Sequence, residues 1–249
     1  MSEASGRSAL VTGASRGIGL GIAEMLAARG FALTVAARDG ERLAAAARAL
    51  RDRGSPHVVT APGELADPAY LDRLVAAHAD AFGTLSCLVL NAGVGTAGDV
   101  ADLPVHRLDK TLAVNFRSPF VLLQQCLPLL RAAAGADPAR GARVIVLSSI
   151  TGVYAEPGLA AYGATKAALN SLVETVNAEE SAQGVTATAI APGYVETDMS
   201  AWVHDRVPAE RMIPVSDVVE LVDAIVGLSA RSVVPRLVIS RAGTSGFGA

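Results

Sequence analysis

Two cysteines, four histidines and a net charge of only −3 in 249 residues exclude several kinds of chemistry at the outset. Cys87 and Cys126 lie far apart in apolar stretches, without a Cys-x-x-Cys spacing. Neither a disulfide scaffold nor a thiolate metal site is expected. Both read as buried free thiols of a reducing compartment, which makes the cytoplasm the predicted location. The scattered histidines show no metal-ligand pattern. Lys and Arg number 21 against 24 Asp and Glu, so there is no basic footprint for nucleic acid. Long apolar runs are missing too. None reaches the roughly 18 residues of a membrane-spanning helix, and Gln124, Gln125 and Pro128 interrupt the most apolar helical stretch. No secretory leader is expected at the N-terminus.

What the chain does have is hydrophobic content of 51%, enough for a large core. It is distributed as short apolar runs alternating with helical patterns. The spacing predicts strands at 9–12, 32–36, 57–61, 85–90, 143–148, 186–191 and 236–240. Helices are predicted at 18–29, 40–53, 68–82, 104–133, 159–183 and 216–228, and a small-residue surface loop at 132–140. Near-continuous apolar strands covered by helices imply a parallel sheet buried on both faces. The prediction is an α/β fold of the Rossmann type, doubly wound, with about seven strands, residues 1–249 forming one domain.

The first strand runs into Thr12-Gly13-Ala14-Ser15-Arg16-Gly17-Ile18-Gly19 and then into a helix. Glycines between a strand and a helix build a phosphate cradle. Gly13 allows the tight turn, Gly17 the approach of backbone to a pyrophosphate, and Gly19 close packing of helix on strand. An ordinary glycine-rich loop would not need that strand before it and that helix after it. Further along, Tyr162 and Lys166 stand four residues apart, on one face of a helix. A phenol with a reference pKa of about 10 is a poor acid at neutral pH. A neighbouring ammonium favours the phenolate and lowers that pKa. The spacing alone also fits a solvated helix face.

Over about its first 200 residues the chain resembles the short-chain dehydrogenase/reductase family. The motifs come in family order: the glycine turn, Asn91-Ala92-Gly93, Asn115 in Val114-Asn115-Phe116, Ser149 in Ser-x-x-Gly ending at Gly152, Tyr162 with Lys166, then Pro192-Gly193 and Thr197. The resemblance implies hydride transfer between a nicotinamide cofactor and a carbonyl or alcohol. Tyr162 is then the proton donor, Ser149 orients the substrate oxygen, Lys166 holds the nicotinamide ribose and lowers the phenol pKa, and Asn115 maintains a link from Lys166 to solvent. Ser148 competes with Ser149, but register and interval favour Ser149. Gly13, Ser15, Arg16, Gly17, Ile18, Gly19, Arg38, Glu64, Leu65, Asn91, Ala92, Gly93, Pro192, Gly193, Val195 and Thr197, with Tyr162 and Lys166, are the implied cofactor contacts. Ala37 occupies the family's position for the aspartate of NAD-dependent members, and Arg38 follows it. With Arg16 this favours the 2′-phosphate of NADP(H). Asp39 argues for NAD if the register shifts by two, and otherwise caps the next helix.

Residues 196–213 are the expected substrate lid, carrying Met199, Trp202, Val203, His204 and Met212. Tyr154, Tyr194 and Trp202 are candidate substrate contacts beside Ser149 and Tyr162, though each also suits local packing. Ketones, aldehydes and 3-oxoacyl chains are the implied substrates. The ending from Val233 to Ser240 and the glycine-rich tail to Ala249 depart from the pattern of acyl-carrier-protein reductases. A catalytically silent NADP-binding regulator or scaffold of the same fold is the alternative. The two long helices, 104–133 and 159–183, are expected to pair copies into a homodimer or homotetramer. No nucleic-acid or membrane partner is expected.

Overall fold

Strands too short and apolar to stand alone pair side by side in a computed structural model, which describes residues 6–245. Seven parallel strands form one sheet: β1 (Ser8–Thr12), β2 (Ala32–Ala37), β3 (Val58–Pro62), β4 (Cys87–Leu90), β5 (Ala142–Leu147), β6 (Val185–Pro192) and β7 (Arg236–Ile239). Their order is β3-β2-β1-β4-β5-β6-β7. Chain order reverses between β1 and β4, which pair through Ala9 with Cys87 and Val11 with Val89. A crevice opens beyond the carboxyl ends at such a reversal.

Among the described residues, seven α-helices connect the strands: α1 (Gly17–Ala28), α2 (Gly40–Asp52), α3 (Pro68–Phe82), α4 (Val105–Leu112), α5 (Ser118–Ala136), α6 (Ala160–Glu180) and α7 (Val215–Gly227). They cover both faces. Successive β1 residues point to opposite sides: Ala9 and Val11 pack with Ile22, Leu26 and Val222 on one face, Leu10 with Leu88, Leu122 and Leu169 on the other. Leu10 and Leu88 are fully buried. Each such leucine contributes roughly 1.5–3 kcal/mol of transfer free energy, and Leu10→Ala would cost about 2–5 kcal/mol. The two edge strands, β3 and β7, are partly exposed.

The sequence-predicted helix over 104–133 forms without a break, over 105–136, but it is not α-helical throughout. Between α4 and α5 the chain widens into a π-helical segment, Ala113–Arg117. Pro119 has no N–H to give the Asn115 carbonyl, and its ring disfavours ordinary helical pairing there. The N–H of Ser118 bonds Ala113 O instead. The Ser118 hydroxyl donates to Ala113 O at 2.6 Å and Leu65 O at 2.7 Å. The surface loop expected at 132–140 is corrected as well. Helix α5 runs on to Ala136, because Ala133 and Ala134 are buried against the core. Part of the glycine-rich tail, residues 246–249, lies outside the described residues.

Candidate active site

The carboxyl ends of β1, β2, β4, β5 and β6 border one cleft of about 1540 Å³. Its floor at β1 is the glycine turn. Gly13 has φ 69°, and a Cβ there would lie 2.7 Å from Asn91 Nδ2 and 3.1 Å from Ala92 Cα. No side chain fits. Asn91 stitches β4 to this turn: its Nδ2 donates to Thr12 O at 3.0 Å and Gly13 O at 3.3 Å, while the Asn91 and Ala92 N–H groups both donate to Thr12 Oγ1. Gly17 has φ 56° and starts α1, whose N-terminus has no side-chain cap. The first N–H groups of α1 are left to an anion. Ser15, Arg16, Gly17 and Ile18 line the cleft, whereas Gly19 is buried and lets α1 lie on the Gly13 backbone. Glycine backbone at positive φ, an uncapped helix start and arginines alongside fit a dinucleotide phosphate.

At the end of β2, Arg38 lines the cleft, its guanidinium 4.0 Å from Glu64. Asp39 borders it too, but its carboxylate is engaged as the α2 cap: Oδ1 accepts from Arg42 N at 3.0 Å and Oδ2 lies 3.3 Å from Arg42 Nε. Glu64, Leu65, Ala92, Gly93, Pro192, Gly193, Val195 and Thr197 complete this wall.

At the other end Ser149, Tyr162 and Lys166 meet. Ser149 follows β5, and its Oγ accepts from Thr151 N at 3.2 Å and Thr151 Oγ1 at 2.9 Å, which leaves its own proton to donate. Sequence reasoning missed Thr151, which also lines the cleft. Ser148 has a different use. Its hydroxyl donates to Lys166 O at 3.0 Å, fastening β5 to α6. Lys166 is buried, its Nζ donating to Leu147 O at 2.7 Å and lying 5.5 Å from the Tyr162 ring centroid. Burial lowers the Lys166 pKa to about 8. Burial raises that of the Tyr162 phenol to about 12, opposed by a hydrogen bond with Ser149. The phenol alone is therefore a weaker acid than tyrosine in water.

Asn115 sits behind this group and does not line the cleft. The π segment aims its amide at Val94: Oδ1 accepts from Val94 N at 2.8 Å and Nδ2 donates to Val94 O at 3.0 Å. A Cβ on Gly93 would lie 3.3 Å from Asn115 Oδ1 and 3.6 Å from Lys166 Nζ, so this glycine lets both approach the β4 loop.

Of residues 196–213, only 196–200 and Trp202 line the cleft. Their base is tied by a Val195–Ile213 bridge, with Glu196 N bonding Ile213 O and Ile213 N bonding Tyr194 O, both at 2.9 Å. Val203 and Met212 are buried anchors, while Met199 and Trp202 line the cleft and remain about half exposed at 47% and 54%. Tyr194 also lines it, its ring 6.3 Å from that of Trp202 and its hydroxyl donating to Glu156 at 2.8 Å. Tyr154 and His204 are not among the lining residues. His106, Arg107 and Lys110, on α4, are, and no sequence signal had marked them. Among the described residues there is no cluster that could hold a metal ion and no helix long and apolar enough to cross a membrane.

Comparison with known proteins agrees with this geometry. A family model described as short chain dehydrogenase matches residues 7–207. A rhamnolipids biosynthesis 3-oxoacyl-[acyl-carrier-protein] reductase from Pseudomonas aeruginosa is 37% identical over 196 residues, 78% of this chain and 75% of that protein. An alcohol dehydrogenase from Thermococcus sibiricus, solved with 5-hydroxy-NADP, superposes with a TM-score of 0.84 at 26% identity, over 95% of this chain and 97% of that one. A 3-oxoacyl-[acyl-carrier protein] reductase from Brucella melitensis, solved with NAD, gives 0.84 at 31% identity over 94% of each chain. The chain belongs to the short-chain dehydrogenase family and is a nicotinamide-dependent oxidoreductase acting on CH–OH or carbonyl groups.

Proposed function

We propose that the chain is an NADP(H)-dependent oxidoreductase that interconverts a ketone or aldehyde and the corresponding alcohol, with 3-oxoacyl compounds among its substrate classes. Support comes above all from Ser149, Tyr162 and Lys166 at one end of the cleft, with the phosphate-type cradle at the other. Bound nicotinamide supplies or accepts the hydride. During reduction the Tyr162 phenol gives its proton to the carbonyl oxygen, and in oxidation the phenolate takes one. Ser149, its lone pairs occupied by Thr151, donates to the same oxygen and holds the substrate in line. The Lys166 ammonium opposes the burial that weakens the phenol as an acid, and is a hydrogen-bond donor for the nicotinamide ribose. Asn115, locked to Val94, keeps that lysine's surroundings fixed.

Arg16 and Arg38 are the reason to favour NADP(H) over NAD(H), since Asp39 is engaged in capping α2. Tyr194 and Trp202 form the substrate side, and residues 196–213 act as the lid of one domain spanning 1–249. The outer face of α6 carries exposed Ala164, Ala167 and Ser171, and α5 exposes Phe120 at 44%. Small residues allow close helix approach, so a homodimer is the proposed minimal assembly. NADPH consumption against a panel of ketones, aldehydes and 3-oxoacyl thioesters tests the activity. Tight NADPH binding without turnover across the panel would favour the silent regulator instead.

A further inference from the structure

One lid residue is tied directly to the glycine turn. Arg16 Nη1 donates to Asp198 Oδ2 at 2.5 Å, joining positions 182 apart in the chain. A second contact lies beside it: a Cβ on Gly17 would be 3.3 Å from Thr197 Cγ2. The first turn of the lid, Asp198–Val203, thus begins on the phosphate cradle.

The surrounding charges isolate this pair. Arg16, Arg38 and Arg42 all line the cleft. Arg42 faces Asp39 within one helix start, and Arg38 reaches Glu64 only at 4.0 Å. Arg16 has the shortest of the three contacts, and its partner alone belongs to the lid. Both side chains are more than half exposed, at 55% and 68%, so neither is locked. An exposed pair of this kind shifts an equilibrium by at most about fivefold.

We infer that Asp198 sets cofactor preference from the lid: its carboxylate and the 2′-phosphate of NADP(H) compete for the Arg16 guanidinium. This rests on Arg16 being a cofactor contact, as proposed above. NADH carries a neutral 2′-hydroxyl and leaves the Arg16–Asp198 pair intact. NADPH draws Arg16 away from the lid carboxylate. The coupling is reciprocal. Detaching the lid tightens NADPH, and NADPH loosens the lid.

The test is calorimetric binding of NADPH and NADH to wild type, Asp198→Asn, Arg16→Gln and the double variant, so that no turnover is needed. Asp198→Asn should tighten NADPH about three- to fivefold and leave NADH within about twofold. In the Arg16→Gln background the same substitution should change nothing. Trp202, the chain's single tryptophan, reports the lid. Its quenching by acrylamide should rise with saturating NADP⁺ but not NAD⁺ in wild type, and be high with either in Asp198→Asn. Equal shifts for both cofactors, a weaker NADPH complex, or a shift that survives Arg16→Gln would overturn the inference. A wild type that prefers NADH would defeat the NADP(H) reading alone, since Asp198→Asn would still move the ratio toward NADPH.

Discussion

Replacing Gly152 with alanine tests how closely α6 must be held. Gly152 ends the 3-10 turn Ile150–Gly152 that follows Ser149, and its peptide lies against α6. A Cβ there would fall 2.6 Å from the Lys166 carbonyl carbon and 2.8 Å from Ala167 N. Ordinary contact begins near 3.4 Å, so turn and helix must part by 0.8 Å (3.4 minus 2.6). The atoms in the way are backbone and the Lys166 Cβ, which no rotamer change can move aside. The displacement separates Ser149, before the turn, from Tyr162 and Lys166 on the helix. Misplacement of about 1 Å costs on the order of 100-fold in rate, and overpacking about 1–3 kcal/mol in stability. Single-turnover reduction of a carbonyl substrate at saturating NADPH reads the first effect, urea unfolding the second. Gly135→Ala is the control: nothing lies within 4 Å of the added methyl. It should leave the rate alone and gain up to about 1 kcal/mol of helix stability. A folded Gly152→Ala protein with near wild-type single-turnover rate would show that α6 need not be held this closely.

Arg38→Asp should abolish or reverse the preference for NADPH, because it sets a like charge against the 2′-phosphate; an unchanged NADPH-to-NADH affinity ratio would remove Arg38 from that role. His78 is fully buried between Thr34 Oγ1 at 2.8 Å, Thr84 O at 3.1 Å and Ser8 Oγ at 3.3 Å, and burial lowers its pKa from 6.5 to about 4. The unfolded chain takes a proton that the folded one refuses, so stability is full above pH 6.5 and falls as pH drops toward 4, by about 2 kcal/mol at pH 5. Urea unfolding should show this slope, and His78→Gln should flatten it; an equal slope in both proteins would assign it to other groups. Ala167→Glu, on the exposed face of α6, should yield monomers with damaged activity in sedimentation and turnover assays, and a wild type sedimenting at the single-chain mass would end the dimer proposal.

The sheet was legible because each strand is an apolar run bounded by glycine or polar residues, a pattern that depends on neighbours in sequence. Asp39 shows the same locality: its place just before Gly40 predicted a helix cap, and its carboxylate accepts the Arg42 N–H. What escaped were effects between distant segments. Apolar periodicity runs unbroken through 104–133, yet the missing N–H of Pro119 and the reach of Ser118 to Leu65 open a π segment there. Ser148 and Ser149 are distinguishable by motif, but only packing shows that Ser148 fastens Lys166. Tyr154 and Tyr194 looked alike as aromatics on loops, and only Tyr194 borders the cleft. Arg16 was visible as a cation beside a phosphate cradle, while its carboxylate partner lies 182 residues away.

In the proposed reaction Tyr162 delivers the proton in carbonyl reduction. Tyr162→Phe removes one oxygen from a side chain whose ring packing can stay as it is. The decisive measurement is the single-turnover rate of carbonyl reduction in this variant, taken beside its NADPH affinity. Wild-type cofactor affinity is expected, with a rate lower by about 100-fold or more. A rate close to wild type, at unchanged affinity, would contradict it.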